Sequence, residues 1–289
     1  MTILHVIILA IVQGLAELLP VSSSAHVIVA EKLMGMNPSA PEVTLLLVML
    51  HTGTMFAVIV YFWSRWRDAF VQTATGLKSF IVGLILATVL TVVVGGVLIK
   101  IIEKVAFPHA SHAWVEDLFG RLDLIAAALA AVGVLILYAG LRRKSVESDD
   151  PTSKEITPRQ SLWIGAIQGL CLPFRGFSRS GATISTGMLT GVSKIRAEDF
   201  SFALAVIITP AAIGRELLRL VKTEHLNSSA GLLMPALDMG MVGAAFAFFA
   251  GLAALKWLSS WLENGRWYWF GVYCLVAALA VALLYHAGY

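Results

Sequence analysis

The sequence predicts an all-α polytopic membrane protein. Of its 289 residues, 58% are hydrophobic and only 13% are charged, whereas soluble proteins carry about 25% charged residues. Apolar stretches long enough to cross a hydrocarbon core as a helix, about 20 residues, recur along the chain. A polar, serine-rich break also appears at corresponding places of the two halves. These three observations together indicate a helical bundle in the membrane with a polar centre.

The elements follow from hydropathy. Six predicted spans lie at 43–63, 80–101, 122–141, 199–219, 236–257 and 267–287. Two further apolar regions, 2–34 and 160–191, are interrupted by the turns Pro20–Ser24 and Pro173–Gly181. Their halves are too short to span a membrane, so each region is predicted to be a re-entrant helical hairpin. The backbone of such a turn must pack in protein or line a wet cavity.

The order of elements predicts two repeats of inverted topology. Residues 1–141 contain one hairpin and three spans, residues 142–159 form a polar linker, and residues 160–289 repeat the arrangement. An odd number of crossings separates the hairpins, so they enter from opposite faces and their tips can meet. Broken segments in corresponding positions of two halves point to a binding site in a membrane protein.

The distribution of charge predicts the orientation. More lysines and arginines fall on the face of the linker than on the other, which places that face in the cytoplasm and both termini outside. Tryptophans, Trp267 among them, concentrate near the same boundary and are expected to form an interfacial belt. The net charge of +3 and the absence of a basic patch argue against nucleic acid. Cys171 and Cys274 lack metal-site spacing.

The second break carries two arginines, Arg175 and Arg179. A charge at the centre of a membrane helix costs about 2.5–3.5 kcal/mol, so an anionic partner is expected. A helix N-terminus that includes Thr183 is predicted directly after four residues of the break, Gly176, Ser178, Ser180 and Gly181. The free N–H groups of this helix end would face the same anion. Two alternatives remain open: a buried ion pair of Arg179 with Glu17 or Glu216, and extension of Arg175 to water.

The first break supplies hydroxyl groups and a histidine. Ser22, Ser23 and Ser24 are predicted to cap a half-helix that runs from Ala25 to about Met34. His26 lies three residues after Ser23, on the same helical face. A serine within reach of a histidine is the minimal pattern of an activated hydroxyl nucleophile. Simple capping by the serines, and a packing role for the histidine, are the alternatives.

Glu17 lies one helical turn after Gln13, and both project toward the first break. A carboxylate at this depth is costly unless it pairs, holds a cation or moves a proton. We expect Glu17 to act as a base for the nucleophile or as a ligand of a divalent ion. A salt bridge to Arg179 is compatible with either role. Phosphoryl transfer needs positioning and charge stabilisation, and the two breaks supply both.

These motifs resemble the undecaprenyl-diphosphatase family, also called the bacitracin-resistance protein. They read Gln13-x-x-x-Glu17-x-x-Pro20-Val21-Ser22-Ser23-Ser24-x-His26 and Gly176-Phe177-Ser178-Arg179-Ser180-Gly181-Ala182-Thr183-Ile184, with further similarity at 48–54 and 200–205. The resemblance implies a membrane enzyme that hydrolyses undecaprenyl diphosphate to undecaprenyl phosphate and phosphate, recycles the lipid carrier of bacterial wall synthesis and confers bacitracin resistance. It also implies a bacterial inner-membrane location, a pocket open to the outer face, and Mg²⁺ or Ca²⁺ without an organic cofactor.

The family's motifs assign roles to individual residues. The catalytic set is Glu17, Ser23, His26 and Arg179, with Glu17 also a metal ligand. Contacts with the polyprenyl diphosphate are expected from Gln13, Ser22, Ser24, Arg175, Gly176, Ser178, Ser180, Gly181 and Thr183. The sequence departs from the family's motifs at two places. The leading position of the first motif, which can be acidic in the family, is Gln13 here, and glutamine cannot act as a base. In the second motif Arg175 stands in place of the usual proline, and the motif is one residue longer.

Three questions stay open at the level of sequence. Either Ser23 or His26 can be the nucleophile. An inverted-repeat transporter or flippase of polyprenyl phosphate, or of another anion, would also use Arg179 and the serines, and a non-catalytic scaffold of a wall-synthesis complex is a third possibility. The sequence does not specify an oligomeric state, and a homodimer is compatible with it.

Overall fold

The chain is helical throughout the part that its computed structural model describes. That part comprises residues 1–37, 40–68, 74–106, 115–143, 156–227 and 233–288. It contains ten α-helices and a short 3₁₀ turn at Val115–Leu118, and the prediction of an all-α protein is confirmed. The helices are α1 Ile3–Leu18, α2 Ser23–Leu33, α3 Pro41–Trp66, α4 Ala74–Ala106, α5 Leu122–Arg143, α6 Pro158–Cys171, α7 Arg179–Leu189, α8 Lys194–Asn227, α9 Leu233–Glu263 and α10 Tyr268–His286.

Six of these helices are long and apolar enough to cross a membrane, and they match the six predicted spans. They are α3, α4, α5, α8, α9 and α10. Helices α3, α4, α8 and α9 extend beyond the predicted bounds at both ends. On α4, the side chains of Val89, Val93 and Val97 are 56%, 52% and 53% exposed. Such a continuous apolar face suits contact with lipid.

The two breaks lie where they were predicted, between α1 and α2 and between α6 and α7. Leu19 is extended, as expected for a residue before proline. The half-helix after the first break, α2, begins at Ser23 and ends at Leu33. It was predicted from Ala25 to about Met34, so it begins two residues earlier and ends one residue earlier.

The prediction that the serines cap α2 was also wrong. Ser22 is the N-cap residue, but no serine side chain caps the helix. Ser22 instead has a positive φ of 68°, which is rare for a residue with a Cβ. The serine hydroxyls are therefore available for other partners.

The predicted linker 142–159 is helical at both ends. Helix α5 continues to Arg143, and α6 begins at Pro158 behind a capping box formed by Thr157 and Gln160. The rest of the predicted linker, 144–155, lies outside the described residues, and so does the Glu216 side chain.

Helix packing brings the two breaks to the centre of the protein. Helix α1 packs on α9, α6 packs on α4, and α5 packs on α10. The largest core cluster joins Leu18 of α1, Ile184 of α7 and Leu258 of α9. A Cβ on Gly14 would lie 2.7 Å from the Ala247 carbonyl oxygen, so only glycine allows the close approach of α1 to α9.

One tryptophan expected in the interfacial belt is part of the core. The side chain of Trp267 is 1% exposed, and its Nε1 donates a hydrogen bond to Ser185 Oγ at 3.1 Å. The belt interpretation was therefore wrong for Trp267, which holds the start of α10 against α7.

A buried ion cluster joins three of the long helices. The Arg65 guanidinium of α3 lies 2.9 Å from Glu198 and 2.8 Å from Asp199 of α8. Ser259 of α9 donates a hydrogen bond to Glu198 at 2.8 Å. Both carboxylates are almost fully buried, so they depend on the arginine for their charge balance.

We predict that Arg65→Met lowers the free energy of unfolding by about 3 kcal/mol, because it leaves two buried carboxylates without their cation. The matched control is Arg67→Met, since the Arg67–Asp68 pair is 63% and 55% exposed and surface pairs contribute about 0–1 kcal/mol. The measurement is unfolding in mixed micelles, and equal effects of the two variants would contradict the prediction.

Candidate active site

The carboxylate of Glu17 joins the two breaks. Its Oε1 accepts a hydrogen bond from Arg179 at 2.6 Å. Its Oε2 accepts from Ser23 Oγ at 2.5 Å and from Gln13 Nε2 at 3.1 Å. The side chains of Glu17 and Arg179 are only 14% and 21% exposed. Gln13, Ser23 and Arg179 thus all contact the carboxylate of Glu17, and these four predicted site residues lie together.

Helix α1 and the turn that follows it bring Gln13 and Ser23 into contact with the Glu17 carboxylate. Gln13 and Glu17 lie one turn apart on α1, near its end at Leu18. The positive φ of Ser22 reverses the chain, so that Ser23 becomes the first residue of α2. The Ser23 hydroxyl then faces back toward Glu17.

The second break presents a helix N-terminus to the same carboxylate. Ser178 is the N-cap of α7, and its Oγ accepts from the Gly181 N–H at 3.2 Å. Arg179 is the first residue of that helix. The second break opens a helix as predicted, but the helix begins at Arg179, so Ser180 and Gly181 lie inside its first turn rather than before it. Guanidinium charge and the positive end of the helix are therefore adjacent.

Direct hydrogen bonds connect the two breaks. The Gly176 N–H donates to Ser24 Oγ at 3.5 Å, and Ser180 Oγ donates to the Leu19 carbonyl oxygen at 3.3 Å. Gly176 has a φ of 97°, and a Cβ there would lie 2.6 Å from the Ile125 carbonyl oxygen. The loop can pack against α5 only with glycine at this position.

Comparisons with known proteins identify the family. A family profile described as "Bacitracin resistance protein BacA" matches residues 6–280. The chain belongs to the BacA family. Relatives named "Undecaprenyl-diphosphatase 2" in Acinetobacter baylyi and "Undecaprenyl-diphosphatase" in Rhodopirellula baltica are 53% and 33% identical, each over 98% of both chains. A third, named "Undecaprenyl-diphosphatase", in Bdellovibrio bacteriovorus is 29% identical over 100% of this chain and 98% of its own. The resemblance inferred from the motifs is confirmed.

His26 of this BacA-family chain does not contact Ser23. Its Nδ1 lies 2.8 Å from the Ser22 carbonyl oxygen, and its Nε2 lies 2.7 Å from the Tyr273 hydroxyl of α10. Of the two candidate bases for Ser23, Glu17 accepts its hydrogen bond, whereas His26 forms hydrogen bonds with Ser22 and Tyr273 instead. The two residues share a helical face, but the imidazole turns toward α10 while the serine turns toward Glu17.

Three other predicted residues lie away from Glu17. The Arg175 guanidinium stacks over the Phe119 ring, 4.2 Å from its centroid. Thr183 Oγ1 donates to the Arg179 carbonyl oxygen at 2.8 Å and shares a 2.6 Å hydrogen bond with Ser201 Oγ. Ser22 Oγ lies 3.3 Å from Ser24 Oγ. The threonine is fully buried, so its hydroxyl holds α7 to α8.

His51 of α3 was missed by the sequence analysis. Its Nδ1 donates to the Leu47 carbonyl oxygen at 2.8 Å, and its Nε2 lies 3.6 Å from Glu17 Oε2. A histidine within a membrane span was a usable signal, because ionisable residues there are rare and mark functional sites. Tyr273 carried no comparable local signal.

We predict that Gly176→Ala destabilises the protein more than Gly191→Ala. The two glycines have φ values of 97° and 92°, so the backbone strain is matched, but a Cβ at Gly191 would have no neighbour within 4 Å. The clash with α5 adds about 1–3 kcal/mol. Thermal unfolding in detergent measures the difference, and equal melting temperatures would refute the packing role of Gly176.

Proposed function

We propose that this chain is a membrane phosphatase that hydrolyses undecaprenyl diphosphate to undecaprenyl phosphate and phosphate. This activity recycles the lipid carrier of bacterial wall synthesis and underlies bacitracin resistance. The names of the relatives and the BacA family support it. The observation that carries the proposal is the contact of one carboxylate, Glu17, with both a serine hydroxyl and an arginine. That arrangement joins a nucleophile, a base and an anion-binding group.

The anion-binding part consists of Arg179 and the N-terminus of α7. The guanidinium carries a fixed positive charge, and a helix N-terminus presents free N–H groups to a phosphate. Both stabilise the charge on the equatorial oxygens of a transferring phosphoryl group, which is the main demand of this chemistry. The remaining proposed contacts to the diphosphate are Gln13, Ser22, Ser24, Arg175, Gly176, Ser178, Ser180 and Gly181, whereas Thr183, whose hydroxyl bonds to Arg179 and Ser201, would act by holding α7 in place.

The nucleophilic part consists of Ser23 and Glu17. Glu17 Oε2 takes the serine proton while Ser23 Oγ forms a bond to the terminal phosphorus. The bridging P–O bond breaks, and undecaprenyl phosphate leaves with the bonding electron pair. Water then attacks the phosphoserine, the P–Oγ bond breaks, the serine oxygen regains a proton and inorganic phosphate is released. The hydrogen bond from Ser23 to Glu17 favours attack by serine over direct attack by His26.

We predict that Ser23→Ala, Glu17→Gln, His26→Ala and Arg179→Ala each lower kcat by at least about 100-fold, since they remove the nucleophile, its base and two groups that would bind the phosphate. The measurement is phosphate release from undecaprenyl diphosphate by the purified protein in detergent. Exposed residues serve as controls, and Ser260→Ala and Arg67→Ala should leave kcat unchanged.

The same assay separates the phosphatase from the transporter alternative. A transporter has no gradient to act on in detergent and would release no phosphate. A phosphoserine at Ser23, trapped by acid quench and found by mass spectrometry, supports the serine mechanism. Full activity of Ser23→Ala would exclude it.

We propose that the reaction uses Mg²⁺ or Ca²⁺ bound mainly through the diphosphate. The Glu17 carboxylate and the Ser23 hydroxyl are oxygen donors of the kind both ions prefer. Among the described residues, no group of three histidine, cysteine or acidic side chains is placed to hold a metal, so the phosphates would complete the coordination. The cation would neutralise phosphate charge, and Glu17 would be its carboxylate ligand.

We predict that a chelator lowers the rate at least about tenfold and that Mg²⁺ or Ca²⁺ restores it, whereas a monovalent salt of equal ionic strength does not. Gln13→Glu adds a carboxylate one turn from Glu17 and should lower the half-activating Mg²⁺ concentration about threefold or more, because affinity follows the charge of the ligands. An unchanged rate in the chelator would exclude the cation.

We propose that the fold consists of two inverted repeats, 1–141 and 160–289, each with a re-entrant hairpin. Corresponding contacts support this division. Gly14 of α1 packs against Ala250 and Gly251 of α9, and Gly169 of α6 packs against Val94 and Gly95 of α4. Gly169 lies 155 residues after Gly14, and the contact partner Gly251 lies 156 residues after the contact partner Gly95.

We propose that both termini and the pocket opening face the outside of the inner membrane, from the distribution of basic residues. Cys171 and Cys274 are buried, so an added cysteine reports its own exposure. A membrane-impermeant maleimide should label Thr2→Cys in intact spheroplasts and Ser148→Cys only after permeabilisation. The reverse pattern would invert the orientation.

A further inference from the structure

Tyr273 lies on the exposed face of α10. Trp269, Tyr273, Val276 and Leu283 recur at helical spacing and are 48%, 46%, 62% and 62% exposed. On a spanning helix such a stripe faces lipid. The tyrosine hydroxyl contacts His26 of α2 at this face.

The contact between Tyr273 and His26 is extensive. The hydroxyl lies 2.7 Å from His26 Nε2, and the two rings stack with centroids 5.7 Å apart and an interplanar angle of 14°. The next residue, Cys274, donates a hydrogen bond to the Pro20 carbonyl oxygen at 3.4 Å. Two successive residues of α10 therefore hold the first break and the helix that follows it.

The hydrogen bonds of His26 leave no ring nitrogen available for a substrate. Nδ1 faces the Ser22 carbonyl oxygen at 2.8 Å, and a carbonyl only accepts, so Nδ1 carries the hydrogen. In the neutral ring Nε2 is then the acceptor, and the Tyr273 hydroxyl donates to it. Because Nδ1 is tied to the backbone of its own helix, Nε2 is the nitrogen through which His26 would reach a phosphate.

We propose that Tyr273 is a positioning residue that holds His26 at rest and gives up Nε2 only when the diphosphate head group arrives. The inference rests on the proposed function and describes how that site is controlled. A P–OH group of the terminal phosphate donates its hydrogen bond to Nε2 in place of the tyrosine hydroxyl, so Nε2 remains the acceptor of a neutral ring. The amphipathic ring of tyrosine suits this position, since its body remains in contact with apolar groups when the hydroxyl moves.

The direct test is the chemical reactivity of His26. Tyr273→Phe keeps the ring and removes the hydroxyl, so carbethoxylation of His26 by diethyl pyrocarbonate should become about three- to tenfold faster, the range expected for the loss of one hydrogen bond. Mass spectrometry of the folded protein in detergent gives the rate. His286, at the end of α10 and in edge contact with Tyr285, serves as the internal reference.

Tyr138→Phe is the control, because Tyr138 is also exposed and its hydroxyl also takes part in a hydrogen bond, with Arg142, away from both histidines. It should leave the His26 rate unchanged. Tyr273→Leu removes the stacked ring together with the hydroxyl, so His26 should react at least as fast as in Tyr273→Phe; thermal unfolding verifies that each variant is folded. Equal His26 rates in wild type and both Tyr273 variants would overturn the proposal.

Steady-state kinetics provide a second readout that a purely structural tyrosine would not produce. Because the hydroxyl competes with phosphate, Tyr273→Phe should lower KM for undecaprenyl diphosphate about threefold or more, with kcat within about twofold of wild type. An unchanged or higher KM would contradict the competition. If the wild type released no phosphate at all, the proposed function would fail, while the labelling rates would still decide whether Tyr273 shields His26.

Discussion

The ion pair between Glu17 and Arg179 is the interaction on which the candidate site depends. One partner ends α1 and the other begins α7, so the pair connects the two halves of the chain through their interrupted segments. Either charge alone would be costly at this depth, and together they offset much of that cost. Since Arg179 occupies Oε1, the other carboxylate oxygen is left to Ser23 and Gln13. The ion pair with Arg179 therefore orients Glu17 so that its Oε2 faces the Ser23 hydroxyl.

The interrupted backbone imposes a second constraint. Polar backbone groups of a broken helix must find partners inside the protein, because lipid offers none. Leu19 and Pro20 use their carbonyl oxygens to accept from Ser180 and Cys274, and Gly176 donates its N–H to Ser24. These bonds satisfy the backbone and also fix the distance between the two breaks. The serine-rich composition of the breaks thus serves the fold as well as the proposed chemistry.

The sequence predicted those features that depend on local composition. Hydropathy located the spans, because crossing a membrane requires a minimum apolar length, and Pro20 located the first break through its effect on Leu19. Contacts between distant helices were not predictable in the same way. The His26 ring points to its partner Tyr273, and the buried Trp267 donates a hydrogen bond to Ser185. No local sequence pattern reveals either contact. The cost of a carboxylate in the membrane indicated that Glu17 needs a partner, but coordinates were needed to show that it contacts Arg179 and Ser23.

A double-mutant cycle between Glu17 and Arg179 tests the central claim most directly. The free energy of unfolding in mixed micelles is measured for wild type, Glu17→Gln, Arg179→Gln and the double variant. A direct charged hydrogen bond between the halves predicts that the double variant is more stable than the sum of the single effects by about 1 kcal/mol or more. Effects that add to within about 0.5 kcal/mol would show that the two residues act independently, and the account of the site would be wrong.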